Sequence, residues 1–267
     1  MEVAFPRPST LPAPLPETPT YEPPVRRTRA SEEEVSFVPT WEGRTGPITD
    51  ILPRDRSETL NRVVNVAIAA AAIVAVFPVL AIVGLAVKLT SRGPVLYMQT
   101  RIGVDRRYRG RTTDDRRAYD HGGKPFRIYK FRTMRIDAEA DGRPVWASKS
   151  DSRATPIGRV LRRFRIDELP QLFNVIRGDM NIVGPRPERP SIFANLRNSI
   201  PEYQLRQRVK PGITGWAQVN LAYDATVDDV RRKVQYDLEY LRRQGMFEDL
   251  RIMSRTIPVM IFRRGGW

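Results

Sequence analysis

Two adjacent acids set the chemical question. Asp167-Glu168 follows a run of arginines (Arg159, Arg162, Arg163, Arg165) and precedes Leu169-Pro170 and an apolar helical stretch. Helix N-termini and nearby guanidinium groups favour ionised carboxylates. That is the form a nucleophile or a magnesium ligand needs. Other acidic pairs occur at Asp114-Asp115, Asp228-Asp229 and Glu248-Asp249, and surface solvation is the ordinary reading of such pairs. Context alone leaves Asp167-Glu168 open between the two roles. Gly184-Pro185-Arg186-Pro187 is a second candidate. Its prolines fix the backbone, so one guanidinium would meet a phosphate with little freedom left to lose. The same residues also read as a plain structural turn. The stretch from Lys210 to Gln218 (KPGITGWAQ) is a shaped loop whose glycines and Trp216 suit either packing or ligand approach.

Composition narrows the chemistry. The 267 residues carry 45 Lys and Arg against 30 Asp and Glu, a net charge of +15. Such an excess suits nucleic acid, an anionic membrane surface or phosphate-rich small substrates. The absence of cysteine excludes a disulfide framework and thiolate metal sites. With His121 as the single histidine, an imidazole-based zinc site lacks ligands, and His121 itself reads as a surface residue. Acidic side chains remain, and they point to a hard cation such as magnesium.

These groups must be positioned by the elements around them. Residues 1–55 read as a disordered leader: eleven of the 23 prolines fall in this part of the chain, and no apolar periodicity accompanies them. No apolar stretch follows Met1, so the leader is not a signal peptide. Val63 to Val87 then contains no charged residue. As a straight helix it would run roughly 38 Å, against a bilayer core of roughly 30 Å. Arg54, Arg56 and Arg62 precede it and Lys88, Arg92 and Arg101 follow it, so the flanking charge marks neither end as the cytoplasmic one. Pro78, inside the segment, predicts a bend. Flanks and proline together favour a re-entrant helix-break-helix returning to one face. Spanning helices also tolerate proline, so physics leaves both topologies open.

Pro94–Gly103 and Pro125–Met134 read as a β-hairpin around a charged loop, Asp105–Gly123. Thr155-Pro156 starts a basic amphipathic helix through Ile157, Val160, Leu161 and Phe164. Such a helix suits a membrane interface or packing on a core. Further helical patterns run through Leu169–Ile176, Val227–Leu241 and Phe247–Ile257, the last interrupted by Pro258. The expected fold is α+β and predominantly helical. A single domain, 56–264, would hold the membrane-inserted segment 63–87, the hairpin and interfacial amphipathic helices.

Taken in order, these stretches resemble the bacterial sugar transferase family, the monotopic phosphoglycosyl transferases that initiate surface glycan assembly. The resemblance runs from about Arg56 to Arg264. It rests on the apolar segment with Pro78, FRIYKFRTM (126–134), RIDELPQLFN (165–174), RGDMNIVGPRP (177–187) and VKPGITGWAQVN (209–220). It implies Asp167 as nucleophile, Glu168 as the adjacent magnesium-associated acid and Arg186 as the phosphate-contacting arginine. Lys130, Arg162 and Asp237 match polar positions lining the family's site, and Pro78 matches the proline that bends its re-entrant helix. Three departures stand out: Phe77 where serine is common, a long 105–123 loop, and Leu221-Ala222-Tyr223 after Asn220. The multi-span N-terminal module of larger relatives is expected to be absent.

The implied reaction moves a sugar phosphate from a UDP-sugar to polyprenyl (undecaprenyl) phosphate and releases UMP. It would pass through an aspartyl phosphosugar, with Mg2+ as cofactor. The partners implied are those two substrates and anionic membrane lipids, not nucleic acid. The location implied is the bacterial cytoplasmic (inner) membrane, with the catalytic domain on the cytoplasmic face and exopolysaccharide, lipopolysaccharide or another surface glycan as the product pathway. The competing reading is a non-enzymatic, membrane-anchored basic binding protein, for which Asp167-Glu168 would be dispensable.

Overall fold

The computed structural model describes residues 51–106, 122–136, 138, 151–221 and 226–262. The expectations for residues 1–50, for most of the 105–123 loop and for His121 lie outside the described residues.

A single long helix underlies the architecture. α1 (Glu58–Thr90) begins where Ser57 Oγ accepts from Leu60 N–H, and it carries Glu58 in its first turn and Lys88 in its last, matching the helix dipole. At 33 residues it runs roughly 50 Å. The expected helix-break-helix is not seen: helical structure is continuous through Pro78, where a proline can bend a helix without dividing it. A proline removes only its own N–H bond and crowds one carbonyl in the preceding turn, and apolar contacts hold the helix on both sides of it. One stripe faces the domain, with Asn65, Ala69, Val83 and Val87 buried and Ala72, Ile73, Val76 and Leu80 packed alongside. Its steps of three and four residues keep it on one helix face. Phe77, Ile82, Leu85 and Leu89 are exposed. The most apolar 18-residue window has a mean hydropathy of 2.9 and is only 11% buried. A core helix of that hydropathy would be mostly covered.

β1 (Leu96–Ile102) and β2 (Pro125–Phe131) form the expected antiparallel pair, in register from Leu96 opposite Phe131 to Ile102 opposite Pro125. α2 (Pro156–Arg163) starts as anticipated, with Thr155 Oγ1 accepting from Gly158 N–H at 3.0 Å and proline in the first turn. α3 (Gln171–Arg177) ends at Gly178, whose φ of 89° is the left-handed geometry that glycine adopts without strain. β3 (Asn181–Val183) pairs in parallel with β4 (Gly212–Thr214). Between them lie α4 (Pro190–Ser199) and a 3-10 segment, Pro201–Arg208. α5 (Trp216–Asn220), α6 (Val227–Arg243) and α7 (Met246–Phe262) complete the order. Pro258 lies inside α7 rather than interrupting it, the same correction as at Pro78.

The helices hold the two small sheets between them. The largest apolar cluster joins Ile102, Val183, Phe193, Tyr203, Val230, Val234, Leu241 and Ile252. Two others fasten α1: Ala69 with Ile128, Leu172, Val175 and Met180, and Val83 and Val87 with Phe131 and Leu161. The folded part also starts earlier than residue 56. Arg54 N–H donates to Leu241 O at 2.9 Å, Gln244 Nε2 donates to Arg54 O at 2.8 Å, and Arg56 pairs with Asp249 at 3.0 Å.

Asn174 fixes α3 to the hairpin. Fully buried, it accepts from Tyr129 N–H at 3.0 Å and donates to Arg127 O at 2.7 Å, holding the strand edge that β1 does not cover. Asn174→Leu strands two partly buried backbone groups and is expected to destabilise the fold by about 1–3 kcal/mol. A thermal melt in detergent checks this; an unchanged midpoint would show that the two bonds carry no weight.

Candidate active site

The acidic pair sits on a tight reversal between α2 and α3. Arg165 adopts φ 54° and ψ 20°, the one left-handed non-glycine conformation among the described residues. Such a conformation costs about 1–3 kcal/mol and persists only where surroundings enforce it. It turns the chain into a short 3-10 helix, Ile166–Glu168, closed by Glu168 N–H donating to Arg165 O at 3.1 Å. Ile166 packs against the α1 cluster of Val83 and Val87. The turn is therefore seated on the long apolar helix, and Asp167 and Glu168 are both buried.

Two separate elements converge on Glu168. Lys130 Nζ, from β2, donates to Oε1 at 2.9 Å. Arg186, just after β3, donates to both oxygens, at 2.5 Å to Oε1 and 3.2 Å to Oε2. Burial pushes the Glu168 carboxyl up, but Arg186 and Lys130 overcome that and hold it well below the usual carboxylate range. Burial lowers Lys130 from its ordinary value, and the charge of Glu168 partly restores it. Asp167 behaves differently. Burial raises it to about 6, with the charge of Glu168 adding and those of Lys130, Arg186 and Arg162 opposing. The arginine-rich context suggested a firmly ionised pair. That holds for Glu168, whereas at Asp167 desolvation outweighs the cations.

The remaining sequence candidates divide. Lys130 and Arg186 touch the dyad directly. Arg162 lies 3.8 Å from Asp151, which Arg153 also holds at 2.7 Å, and its charge lowers Asp167 from that flank. Asp237 is buried on α6 and pairs with Arg206 at 2.7 Å; Arg206 in turn donates to the carbonyl of Arg186 at 3.0 Å. Asp237 thus reaches the site through a second residue. Pro78 is exposed on the outer face of α1. Trp216 belongs to packing: its Nε1 donates to Glu239 at 3.0 Å, and the guanidinium groups of Arg251 and Arg255 lie about 5 Å from its ring centroid.

Sequence reasoning missed Arg101 and Arg206. Arg101, in β1, donates to Pro187 O at 3.2 Å and lies 3.6 Å from Glu188, which Lys233 approaches at 3.4 Å. A lone arginine in an aromatic strand was its only local signal. Arg206 carried none, since a buried arginine and a surface one look alike in a sequence. The two proline-glycine motifs also prove to be one structure. Gly184 N–H donates to Thr214 O at 2.9 Å and Gly212 N–H donates to Pro185 O at 3.0 Å. A Cβ at Gly184 would stand 2.3 Å from Lys210 O, and one at Gly212 would stand 2.1 Å from Gly184 N. Only glycine permits that approach.

Among the described residues there is no cluster of three or more acidic or histidine side chains that could cage a resident metal. Two adjacent carboxylates would suit a magnesium ion, which commonly takes one or two protein carboxylates plus phosphate oxygens and waters. Glu168 uses three of its roughly four acceptor positions, and Asp167 adjoins it.

The buried acidic pair, with Lys130 and Arg186 beside it, is thus seated on a long apolar helix. The chain belongs to the bacterial sugar transferase family, whose profile matches residues 56–263. It is 43% identical over 200 residues to an undecaprenyl-phosphate glucose phosphotransferase of Komagataeibacter xylinus, covering 73% of this chain and 34% of that protein. It is 37% identical over 227 residues to the UDP-glucose:undecaprenyl-phosphate glucose-1-phosphate transferase of Escherichia coli K12, covering 84% and 44%. A protein of the same description from Caulobacter vibrioides is 40% identical over 214 residues, covering 79% and 73%. The chain thus spans less than half the length of the first two relatives.

The pH response of Asp167 is testable. Chemistry that uses its ionised form should rise with pH through about 6. Lys130→Met removes the largest cationic influence on Asp167, so its pKa rises and the limb moves to higher pH. A pH profile of kcat/KM whose acid limb stays in place would show that another group is being titrated.

Proposed function

We propose that this chain transfers a sugar phosphate from a UDP-sugar to undecaprenyl phosphate, releasing UMP, with Asp167 as nucleophile. One observation carries this reading. Glu168 is held as an anion by Lys130 and Arg186, whereas the adjacent Asp167 carboxylate has no hydrogen bond or ion pair among the described residues. One acid is committed to organising cations and the other is available to attack. The three relatives described above bear names that specify undecaprenyl-phosphate glucose transfer, which supports the class of donor and acceptor.

In this mechanism Asp167 Oδ attacks the phosphorus that bears the sugar. The bond from that phosphorus to the UMP oxygen breaks, UMP leaves, and an aspartyl phosphosugar remains. A phosphate oxygen of the lipid then attacks the same phosphorus. The bond to Asp167 breaks, and the carboxylate is restored beside a polyprenyl diphosphosugar. Splitting the transfer in this way lets each anion meet the phosphorus separately. Lys130 and Arg186 offset the charge that would otherwise repel the attacking carboxylate. Magnesium, carried in on the diphosphate and met by Glu168, would supply further charge neutralisation.

The site has to meet a lipid substrate, and α1 supports a re-entrant seat within one leaflet. Its two ends are fastened to the same domain. Near the start, the Arg62 guanidinium donates to the carbonyls of Val175 and Ile176, and Asn65 Oδ1 accepts from Ile182 N–H at 2.7 Å. At the far end, Val87 packs with Leu161, and Arg132 donates to Ser91 O at 2.8 Å. A domain lying on one side of a bilayer cannot hold both ends of a helix that crosses it. Exposed apolar side chains on α2 (Val160) and just after it (Phe164), on α3 (Phe173) and on α7 (Phe247, 88% exposed) extend the lipid-facing surface. The donor places the catalytic face in the cytoplasm of a bacterial cell, and the pathway served is exopolysaccharide or another surface glycan. A 33%-identical relative from Rhizobium leguminosarum is named an exopolysaccharide production protein.

The test is UMP release by the purified full chain with undecaprenyl phosphate and a panel including UDP-glucose and UDP-N-acetylgalactosamine. Asp167→Asn should lower turnover on the order of a thousandfold or more while leaving vesicle binding intact. Normal turnover by that variant would overturn the assignment of the nucleophile. Topology is read by thiol labelling, since the chain has no native cysteine. Ser57→Cys and Arg92→Cys should both be shielded from an impermeant maleimide outside intact cells; labelling of one and not the other would mean that α1 spans.

A further inference from the structure

The turn that carries Arg186 is held from outside at four successive carbonyls. Gly212 N–H donates to Pro185 O at 3.0 Å, and Ile102 N–H donates to Glu188 O at 3.0 Å. Between them, Arg206 donates to Arg186 O at 3.0 Å and Arg101 to Pro187 O at 3.2 Å. Four successive carbonyls are thus claimed by β4, β1 and the 3-10 segment. Pro185 and Pro187 have no N–H with which the turn could close on itself. Two of the four donors are guanidinium groups.

Arg206 is the more unusual of the two. It is fully buried, with Nη1 donating to Tyr203 Oη at 2.7 Å and Nη2 lying 2.7 Å from Asp237 Oδ2. The Tyr203 ring centroid lies 4.9 Å from its guanidinium carbon. A buried arginine carries a desolvation cost that its partners must offset, and an apolar side chain would fill the same volume without that demand. What an apolar side chain cannot do is donate to the Arg186 carbonyl, on the residue whose own side chain reaches Glu168.

We propose that Arg206, anchored by Asp237, is a positioning residue that fixes the Arg186 turn and so aims the Arg186 guanidinium at the dyad. The proposal rests on the transfer reading of Asp167, Glu168 and Arg186. It assigns Asp237 a role at one remove, acting through Arg206 on Arg186. A lysine ammonium is one compact donor centre and cannot bridge Tyr203, Asp237 and the Arg186 carbonyl as a planar fork does. Arg206→Lys therefore loosens the turn while keeping the charge.

The experiment compares Arg206→Lys in the wild-type and Arg186→Ala backgrounds, using full-length protein in detergent. In the wild-type background kcat/KM for UMP release should fall about ten- to a hundredfold. In the Arg186→Ala background the further loss should be under about twofold, because the group being aimed is gone. Equal losses in both backgrounds would overturn the proposal, showing that Arg206 acts through the fold at large. Hydrogen exchange gives a readout that needs no turnover. Peptides covering residues 184–189 should exchange at least about fivefold faster in Arg206→Lys, with α3 and α6 unchanged; unchanged exchange in the turn, or a general increase, would also overturn it. Should Arg206→Lys fail to fold, Asp237→Asn, which keeps side-chain size, makes the same comparisons with the same outcomes. No UMP release by the wild-type chain from any donor, together with the local exchange change in Arg206→Lys, would count against the transfer reading and leave the turn-fixing role standing.

Discussion

Removing two neighbouring carboxylates from water is the cost around which this molecule is arranged. Desolvation and mutual repulsion both oppose it. Glu168 is made tolerable by three hydrogen bonds from two cations, and those cations arrive from β2 and from the turn after β3. The carboxylate is therefore the point at which three distant stretches of chain are made to agree. Asp167 receives no comparable relief, and its raised pKa of about 6 follows. Such a carboxyl is mostly ionised at neutral pH, yet it stays more basic than one locked in an ion pair. The uncompensated part of the penalty falls on Asp167 alone.

Much of the fold was legible because its signals are local. Twenty-five uncharged residues, the alternating hairpin strands and the Thr155-Pro156 start each depend on neighbours a few positions away. The prolines misled for a related reason. Pro78 and Pro258 each remove one N–H, a local loss read as a break at the first and an interruption at the second, whereas helical structure on both sides carries through. The β3–β4 pair was hidden because three-residue strands show no period, and their parallel pairing depends on contacts far apart in sequence. In the site, Asp167, Glu168 and Arg186 stood out by motif. Arg206 and Asp237 did not stand out in the same way: a charge on an amphipathic segment is ordinarily solvated, and only the assembled core shows that these two are not. The direction of the Asp167 shift was missed for the same reason, since desolvation has no sequence signature.

α1 is more than an attachment. Its inward stripe supplies core to both β2 and the dyad turn, through Ala69 beneath Ile128 and Val83 and Val87 beside Phe131 and Ile166. Its outward stripe remains apolar and uncovered. Site architecture and uncovered apolar surface are thus two faces of one helix, and the basic groups at its start are engaged in the fold: Arg56 with Asp249, and Arg62 with the end of α3.

The backbone contact between Gly184 and Gly212 has a consequence for how such a chain can change over time. The two glycines stand in separate motifs, yet a single added carbon on either would strike main-chain atoms of the other stretch. Main chain cannot be trimmed to make room as a side chain can, so no replacement at a second position restores the fit. Drift at one motif finds no compensating partner in the other. What reads as two motifs is, for inheritance, a single immovable joint.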